Sequence, residues 1–240
     1  MTLHRDHGIV LRTYKLGEAD RIVVLLTEHL GKVRAVAKGI RKTTSRMGGR
    51  LEPPSHGALQ LYEGRGELWK VTQIETVDHF RAIRDDLHRL TKAGALCEVA
   101  DLMSPDHEPN ERRYQMLLGA LRALAARDSA LLVPGFYLRS LSIEGLAPQV
   151  EACVQCGRRD DLVAFDIGDG GVLCESHRRG RPLSADALVL LRRILGGELG
   201  AALNEPPSAA THEVELLAIA TMEHHVERRL KAQSVIERTS

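Results

Sequence analysis

The sequence predicts an α+β protein in which a small N-terminal β-barrel is followed by an all-helical domain with an inserted cysteine-rich element. Three observations lead to this fold class. Short alternating apolar patterns fill the first 80 residues, helical spacing of leucines dominates the remainder, and three cysteines and a histidine cluster within the helical part. We therefore predict two domains, residues 1–80 and residues 81–240, with the inserted element at 150–180.

The first 80 residues contain five segments typical of short strands, with Gly- or Pro-containing turns between them. The last two segments are expected to form a hairpin across Gly64–Gly66. Five short strands in about 75 residues fit a small closed or partly open barrel. An OB-fold is the leading prediction and an SH3-like barrel is the alternative, and the pattern alone does not separate them. The predicted strands are 7–14, 21–28, 32–38, 58–64 and 67–76.

Helical periodicity begins after residue 80. Leucines and valines at helical spacing predict one helix within 85–103, and Asn110 is a suitable N-cap for a second. A third helix is expected to end at a Gly145 C-cap, and a short fourth helix to begin after Ser184. A last helix is predicted from about Thr211, and the segment 196–210 is predicted to be a loop.

Composition is ordinary for a folded protein, with 43% hydrophobic and 27% charged residues and a formal net charge of +1. The first eight residues, MTLHRDHG, contain no apolar stretch, and the longest aliphatic run is IVVLL at 22–26. We therefore expect neither a signal peptide nor a membrane span, and a cytoplasmic location. Four cysteines in such a chain suggest free thiols or a metal site rather than a disulfide scaffold.

Positive charge is concentrated near the N-terminus. Residues 1–80 carry 13 Lys or Arg against 9 Asp or Glu, and no acidic residue occurs between Lys32 and Leu51. In a strand with Val33, Ala35 and Ala37 facing the core, the intervening basic side chains point outward, and the following loop adds more. This pattern favours a groove that holds a sugar-phosphate backbone, although a solvated loop without a partner is the competing interpretation. The predicted DNA-binding residues are Lys32, Arg34, Lys38, Arg41, Lys42, Arg46 and Arg50.

Aromatic residues are scarce in this region. Trp69 and Tyr62 are candidates for stacking on bases, but core packing is the favoured interpretation for each. Backbone electrostatics should therefore dominate any binding, with little sequence preference.

The cysteine-rich element has the spacing of a zinc site. Cys153-x2-Cys156 is followed after seventeen residues by Cys174-x2-His177, so two tight turns joined by a hairpin can aim four ligands at one ion. Four protein ligands leave no position for water, which predicts one structural Zn²⁺ rather than a catalytic ion. A chance or decayed cluster is the alternative. Cys97, on the apolar side of a predicted helix, is expected to be a core residue.

Four stretches of the chain, taken in order, resemble the RecO family of bacterial recombination mediators, which are DNA repair proteins. They are GIVLRTYKLGEADRIVVLLTEHLGKVRAVAKGIRK with the following SR, FYLRSLSIEGLAPQVEACVQCG, GGVLC, and HHVERRLKAQ. The resemblance implies an OB-fold, a helical middle and a zinc-binding element. It also implies binding to single- and double-stranded DNA, strand annealing, and action with RecR in loading RecA onto strands covered by single-strand-binding protein (SSB). A nucleoid-associated location follows from these roles. His177 departs from the four-cysteine version of the family's zinc site.

Enzymatic function is not expected. GIRKTT lacks the glycine frame of a phosphate-binding loop, HEVEL lacks the second histidine of a zinc protease, and no catalytic constellation follows from spacing. The main competing hypothesis is a zinc-stapled protein-interaction adaptor without direct DNA binding. An acidic SSB tail is one possible partner for basic helical positions, with ordinary helix solvation as the favoured alternative. Those positions are Arg192, Arg193, Arg228, Arg229 and Lys231.

Overall fold

The computed structural model describes residues 2–42, residue 45 and residues 47–231. Strands dominate its N-terminal part and helices its C-terminal part, which confirms the mixed α+β prediction. Contacts group the described chain into two compact units, one reaching Ala126 and including Lys231, the other spanning Arg127–Leu230. The first two long helices thus group with the strands, whereas the predicted domain division lies at residue 80.

In the described part of the first unit, five strands close into a barrel in the order β1-β2-β3-β5-β4. Neighbouring strands are antiparallel, except that β3 and β5 run parallel. The long first strand serves two neighbours, since its N-terminal half pairs with β4 and its C-terminal half with β2. The strands are β1 (Thr2–Leu16), β2 (Asp20–Thr27), β3 (Lys32–Ala37), β4 (His56–Glu63) and β5 (Trp69–Asp78).

The alternation predicted for the third strand is confirmed. Val33, Ala35 and Ala37 are fully buried in the barrel core, and Arg34 between them is exposed. Each buried valine-sized side chain contributes roughly 1.5–3 kcal/mol through removal from water. The predicted hairpin across Gly64–Gly66 is also present as the antiparallel β4–β5 pair.

The turn that leads into β3 is fixed by close packing. Gly31 has φ +72°, and a Cβ there would lie 2.5 Å from the carbonyl carbon of Glu108, so only glycine fits. The main-chain oxygen of Lys32 accepts a hydrogen bond of 2.9 Å from the N–H of His107. The start of β3 is thereby attached to the segment that follows the second helix of this unit.

Three helices complete the first unit: α1 (Arg81–Arg84), α2 (Leu87–Leu102) and α3 (Glu111–Ala126). The Asn110 side chain accepts the N–H of Arg113 at 3.0 Å, which confirms the predicted N-cap. Tyr114 on α3 is hydrogen-bonded to Nε2 of His56 at 2.8 Å. Burial of His56 lowers its pKa to about 4, so this contact between α3 and the barrel uses a neutral imidazole at neutral pH.

The second unit consists of α4 (Leu132–Ile143), α5 (Ala185–Leu195), α6 (Leu199–Ala202) and α7 (Ala209–His225), with a small sheet between α4 and α5. The sheet has the order β7-β6-β8 and comprises β6 (Leu162–Asp166), β7 (Gly171–Cys174) and β8 (Arg181–Pro182). The predicted caps are confirmed, since Ser184 accepts the N–H of Ala187 and Gly145 has a left-handed φ of +76°.

The prediction of a loop over 196–210 is wrong in two places. The short helix α6 lies within it, because Leu199 packs against α4 so tightly that a Cβ on Gly135 would lie 2.6 Å from its Cδ1. The last helix begins at Ala209, since Ser208 and Thr211 form a reciprocal capping box. Neither a short packed turn nor that register is visible in apolar periodicity.

Candidate nucleic-acid interface and metal centre

The predicted basic residues are mostly exposed around β3 and the segment that follows it. Arg34 lies on β3, and Lys38 and Lys42 lie beyond its end, all three exposed and without an ion-pair or side-chain hydrogen-bond partner among the described residues. Such charges are available to an external anion. Arg46, a further predicted residue, lies outside the described residues.

Two arginines hold this segment in place while remaining exposed. The main-chain N–H of Arg41 donates to the oxygen of Ala19 at 3.0 Å, and its guanidinium donates to the oxygen of Gly17 at 3.2 Å. The guanidinium of Arg50 donates to the oxygen of Ile74 on β5 at 3.2 Å. Arg41 therefore lies against the β1–β2 turn, while Arg50 lies against a different strand.

Lys32 has a different environment from the other predicted residues. Its ammonium lies 3.2 Å from a carboxylate oxygen of Asp101 and 3.2 Å from one of Asp106, and its side chain is only 14% exposed. It also donates to the main-chain oxygen of Asp101 at 2.9 Å. Its charge is thus compensated inside the first unit, which makes it a structural residue at the start of β3.

Sequence reasoning did not connect β1 with this basic surface. Register places Arg12, Val24 and Arg34 in one row across β1, β2 and β3, because directly paired residues share a face of the sheet. Tyr14 lies two residues after Arg12 on β1, on the same face of the strand. The guanidinium of Arg12 is 4.9 Å from the centre of the Tyr14 ring. Alternation along the first strand could have put Arg12 and Tyr14 on one face, but only the register of both strand pairs shows which residues of β3 share their rows across β2.

Trp69 is a core residue, which confirms the prediction that it packs in the barrel core rather than on a base. It is 8% exposed, and its ring stacks between His4 at 4.8 Å and His107 at 5.3 Å, measured between ring centres. Both of its faces are covered, so it offers no surface to a base. Tyr62 is half-buried on β4.

The cysteine-rich element brings its four predicted ligands together. The sulfur of Cys174 lies 3.3 Å from Nδ1 of His177 and 3.7 Å from the sulfur of Cys156, and Cys153 lies 3.8 Å from the same nitrogen. All four ligand atoms lie within 4.8 Å of one another. A tetrahedral zinc with Zn–S of about 2.3 Å and Zn–N of about 2.0 Å requires ligand separations of about 3.5–3.8 Å. The four side chains therefore fit one ion.

Local structure explains how the two ligand pairs meet. Cys153 and Gly157 close a tight turn, in which the N–H of Gly157 donates to the oxygen of Cys153 at 2.8 Å. The N–H of Val154 donates to the oxygen of Val172 at 3.0 Å, which attaches this turn to β7. Because β7 ends at Cys174, the second turn starts where the first is attached. The hairpin predicted between the ligand pairs is the β6–β7 pair.

The electrostatics of the element favour a thiolate. Burial of Cys153 opposes ionisation, but hydrogen bonds from the N–H groups of Cys174, Gln155 and Cys156 outweigh it and lower its pKa to about 6. A thiolate is the form that binds a metal. Cys97 is the opposite case, since complete burial raises its pKa to about 12, as befits the core residue that was predicted.

A second group of possible ligands, Asp6, Glu28 and His29, is explained by local structure. The carboxylate of Asp6 accepts four hydrogen bonds, from the N–H groups of His7, His29 and Leu30 and from Nδ1 of His29, at 2.8–3.1 Å. The hydrogen bond to Asp6 raises the pKa of His29. With its acceptor sites used in this way, Asp6 fixes the β2–β3 turn.

Two of the basic positions proposed for an SSB tail are occupied within the second unit. Arg192 donates to the main-chain oxygen of Val150 at 3.0 Å, and the guanidinium of Arg193 lies 2.5 Å from a carboxylate oxygen of Glu205. These contacts favour a structural role for both arginines. None of the helices in the described ranges has the length and apolar character needed to cross a membrane.

Comparison with known proteins covers nearly the whole chain. Residues 1–80 match the family model for the N-terminal part of recombination protein O, and residues 84–234 match the model for its C-terminal part. The chain is 42% identical over 246 residues to DNA repair protein RecO of Nocardioides sp., covering 98% of this chain and 100% of that protein. It is 40% identical over 250 residues to DNA repair protein RecO of Streptomyces griseus and 38% identical over 247 residues to that of Bifidobacterium adolescentis. Each of these two comparisons covers 99% of this chain and 100% of the relative.

Proposed function

The chain belongs to the RecO family of DNA repair proteins, and on that basis we propose that it is a non-enzymatic recombination mediator that binds DNA directly. It binds single and double strands, anneals complementary strands, and acts with RecR to load RecA on strands covered by SSB. The partner proteins, and an association with the nucleoid, are assigned from family membership. The barrel is assigned as an OB-fold and residues 1–80 as the nucleic-acid-binding domain.

One observation carries the DNA-binding assignment: Arg34, Lys38 and Lys42 are exposed around β3 and have no acidic partner among the described residues. Arg41 adds a fourth exposed charge beside the β1–β2 turn. In OB-folds the face of strands 2 and 3 and the loop between strands 1 and 2 contact oligonucleotides. The position of Arg34 on β3 and the contact of Arg41 with the β1–β2 turn support this assignment. Their cations release condensed counterions when they bind phosphates, which gives affinity without sequence preference.

The same arrangement accounts for annealing. Two complementary strands repel one another, and a protein that neutralises phosphates on each lowers that repulsion while base pairs form. No covalent chemistry is required, which agrees with a non-enzymatic role.

The test measures binding of purified protein to bare oligonucleotides at 50 and 200 mM salt by fluorescence anisotropy. If about five phosphates are neutralised, affinity for a single strand should fall on the order of 10²-fold between the two salt concentrations. An affinity that does not change with salt concentration would contradict the proposal that the basic residues around β3 bind DNA phosphates. Absence of DNA binding without a partner protein would favour the adaptor hypothesis instead.

We further propose that Cys153, Cys156, Cys174 and His177 hold one structural Zn²⁺. The supporting observation is that three of the ligand separations are 3.3–3.8 Å and that all four ligand atoms lie within 4.8 Å of one another. Four protein ligands leave no open position, so the ion supplies stability to a segment with short strands rather than chemistry. Coordination through Nδ1 leaves Nε2 of His177 free to donate a hydrogen bond that fixes the ring.

A further inference from the structure

The outer face of β1, β2 and β3 has an apolar row beside the basic side chains. Register pairs Tyr14 with Ile22 and Ile22 with Val36, so these three residues form one row across the three strands, here called the central row. They alternate with core residues, because Val23 and Ala35 point into the barrel. The central row therefore faces outward.

Tyr14 in the central row is unusually exposed for its size. It is 39% exposed, and it is the one aromatic residue among the large exposed hydrophobic side chains of the described chain. Tyr114, Tyr137 and Phe80 are at most 2% exposed. Ile22, which is paired with Tyr14, and Val36, which is paired with Ile22, are half-buried on the same face of the sheet. Large aromatic rings normally stabilise the fold through burial, so an exposed one beside a binding surface suggests a ligand contact.

Positive charge borders the central row. Arg34 flanks it in the neighbouring row, and Lys38 follows Val36 by two positions. Arg12, in the same row as Arg34, is ion-paired with the buried carboxylate of Asp101 at 2.7 Å and lies over one face of the Tyr14 ring, so the other face is the one left for a base. The guanidinium of Arg41 lies at the β1–β2 turn, 3.2 Å from the oxygen of Gly17. An apolar strip with basic edges is complementary to a single nucleic-acid strand, whose bases are apolar on their faces and whose phosphates are anionic. A duplex offers only the phosphates, because its bases are already stacked on one another.

We propose that the central row contacts unstacked bases, that Tyr14 stacks on one of them, and that this contact sets the preference for single over double strands. This inference rests on the proposed function and assigns a specificity-determining residue to it. The basic residues hold the phosphates of either form. Tyr14 discriminates, because only a single strand presents a free base.

The experiment compares Tyr14→Ala, Tyr14→Phe and Tyr62→Ala with the wild type. Tyr62 is the matched control, since it lies on another strand of the barrel, β4, paired with Leu3 and Lys70. Affinity is measured for a single strand, for a duplex of equal length, and for an abasic strand that has the same phosphates. Circular dichroism checks folding, which an exposed substitution should leave intact.

Tyr14→Ala should weaken single-strand binding roughly 5- to 150-fold, the fold-change that corresponds to stacking of one base. Duplex affinity and the salt slope should stay unchanged, because no phosphate contact is lost. Tyr14→Phe keeps the ring and should bind as the wild type, as should Tyr62→Ala. The wild type should prefer the normal strand over the abasic one, and Tyr14→Ala should lose that preference.

Equal affinity of the wild type for normal and abasic strands overturns the inference, as does an equal loss of single-strand and duplex binding in Tyr14→Ala. If the wild type binds single strands with the expected salt dependence and Tyr14→Ala binds them with the same affinity, Tyr14 has no role in binding. The proposed function is not affected by that result. Failure of the wild type to bind any oligonucleotide removes the proposed function itself.

Discussion

Lys32 and Arg34 lie two positions apart on β3 and carry the same charge, but their surroundings give them different roles. Lys32 is paired with two carboxylates, one of which, on Asp101, is 5% exposed. Arg34 is exposed and has no such partner among the described residues. A charge that is already compensated by a buried carboxylate contributes to the fold, whereas an exposed one can contribute to binding.

This difference predicts opposite results for two alanine substitutions. Lys32→Ala should destabilise the protein by about 1–3 kcal/mol, because it removes a partner from the buried carboxylate of Asp101. Arg34→Ala should change stability by no more than about 0.5 kcal/mol, yet lower the single-strand salt slope by about 0.7. Urea unfolding and a salt titration measure the two effects. A Lys32→Ala protein of normal stability would show that the ion pairs contribute nothing.

The sequence could predict the direction of these side chains but not their partners. Alternation with Val33 and Ala35 put Lys32 and Arg34 on the same side of the strand, and the structure agrees on Arg34. The carboxylate of Asp101 lies 69 positions away in the chain, on a helix, and local periodicity contains no signal for such a contact. The position of Tyr14 in the same row as Val36 of β3 was not predictable for the same reason, since it depends on the register of two strand pairs.

The cysteine-rich element was the most predictable part of the molecule at the scale of elements. Two ligand pairs at fixed spacing constrain a hairpin almost completely, and all four side chains converge as expected. Helix caps at Asn110 and Ser184 were predictable because each depends on neighbouring residues only. The helix α6 was not, because four residues form it through packing against Gly135 on a distant helix.

Removal of one ligand should release the metal and weaken this element. Purified protein should contain about one zinc per chain, and Cys174→Ser should lose it, because three remaining ligands bind far more weakly. The melting temperature should fall substantially, since zinc binding contributes to folding. Cys97→Ala is the control. Because Cys97 is buried away from the four ligands, this variant should retain the metal. Metal-free wild-type protein with an unchanged melting temperature would contradict a structural role.

At the scale of the whole molecule, the fold class and the family could be predicted from sequence, since both depend on patterns that extend over most of the chain. Charge is also distributed at this scale: residues 1–80 carry the excess of Lys and Arg, whereas residues 151–240 carry 11 Lys or Arg against 14 Asp or Glu. An anionic ligand should therefore be attracted to the N-terminal part. The compact grouping of α2 and α3 with the barrel was not predictable, because it depends on long-range packing.

Charge removal at two places in the first unit tests whether position or total charge matters. Lys38, Arg41 and Lys42 replaced together by alanine should leave folding and zinc content intact, since all three side chains are exposed. The single-strand salt slope should fall by about 2, and annealing of complementary oligonucleotides should slow with it. The control replaces three other exposed basic residues of the first unit, none of which lies on β3 or pairs with it: Arg5, Arg65 and Arg112.

The control variant loses the same charge and should anneal close to the wild-type rate. Equal slowing in both variants would mean that net charge alone governs binding. A folded, zinc-loaded first variant that anneals normally would move the DNA site away from β3.

The way in which the barrel is closed has a mechanical consequence. On one side β3 is paired with β2 through six residue pairs, from Arg21↔Ala37 to Leu26↔Lys32, while the parallel pairing with β5 involves only Ala35↔Trp69 and Val36↔Lys70 in the described strands. A short ladder separates at a lower free-energy cost than a long one. We therefore expect the strand that carries Arg34 and Val36 to open more readily along its edge with β5 than along its edge with β2.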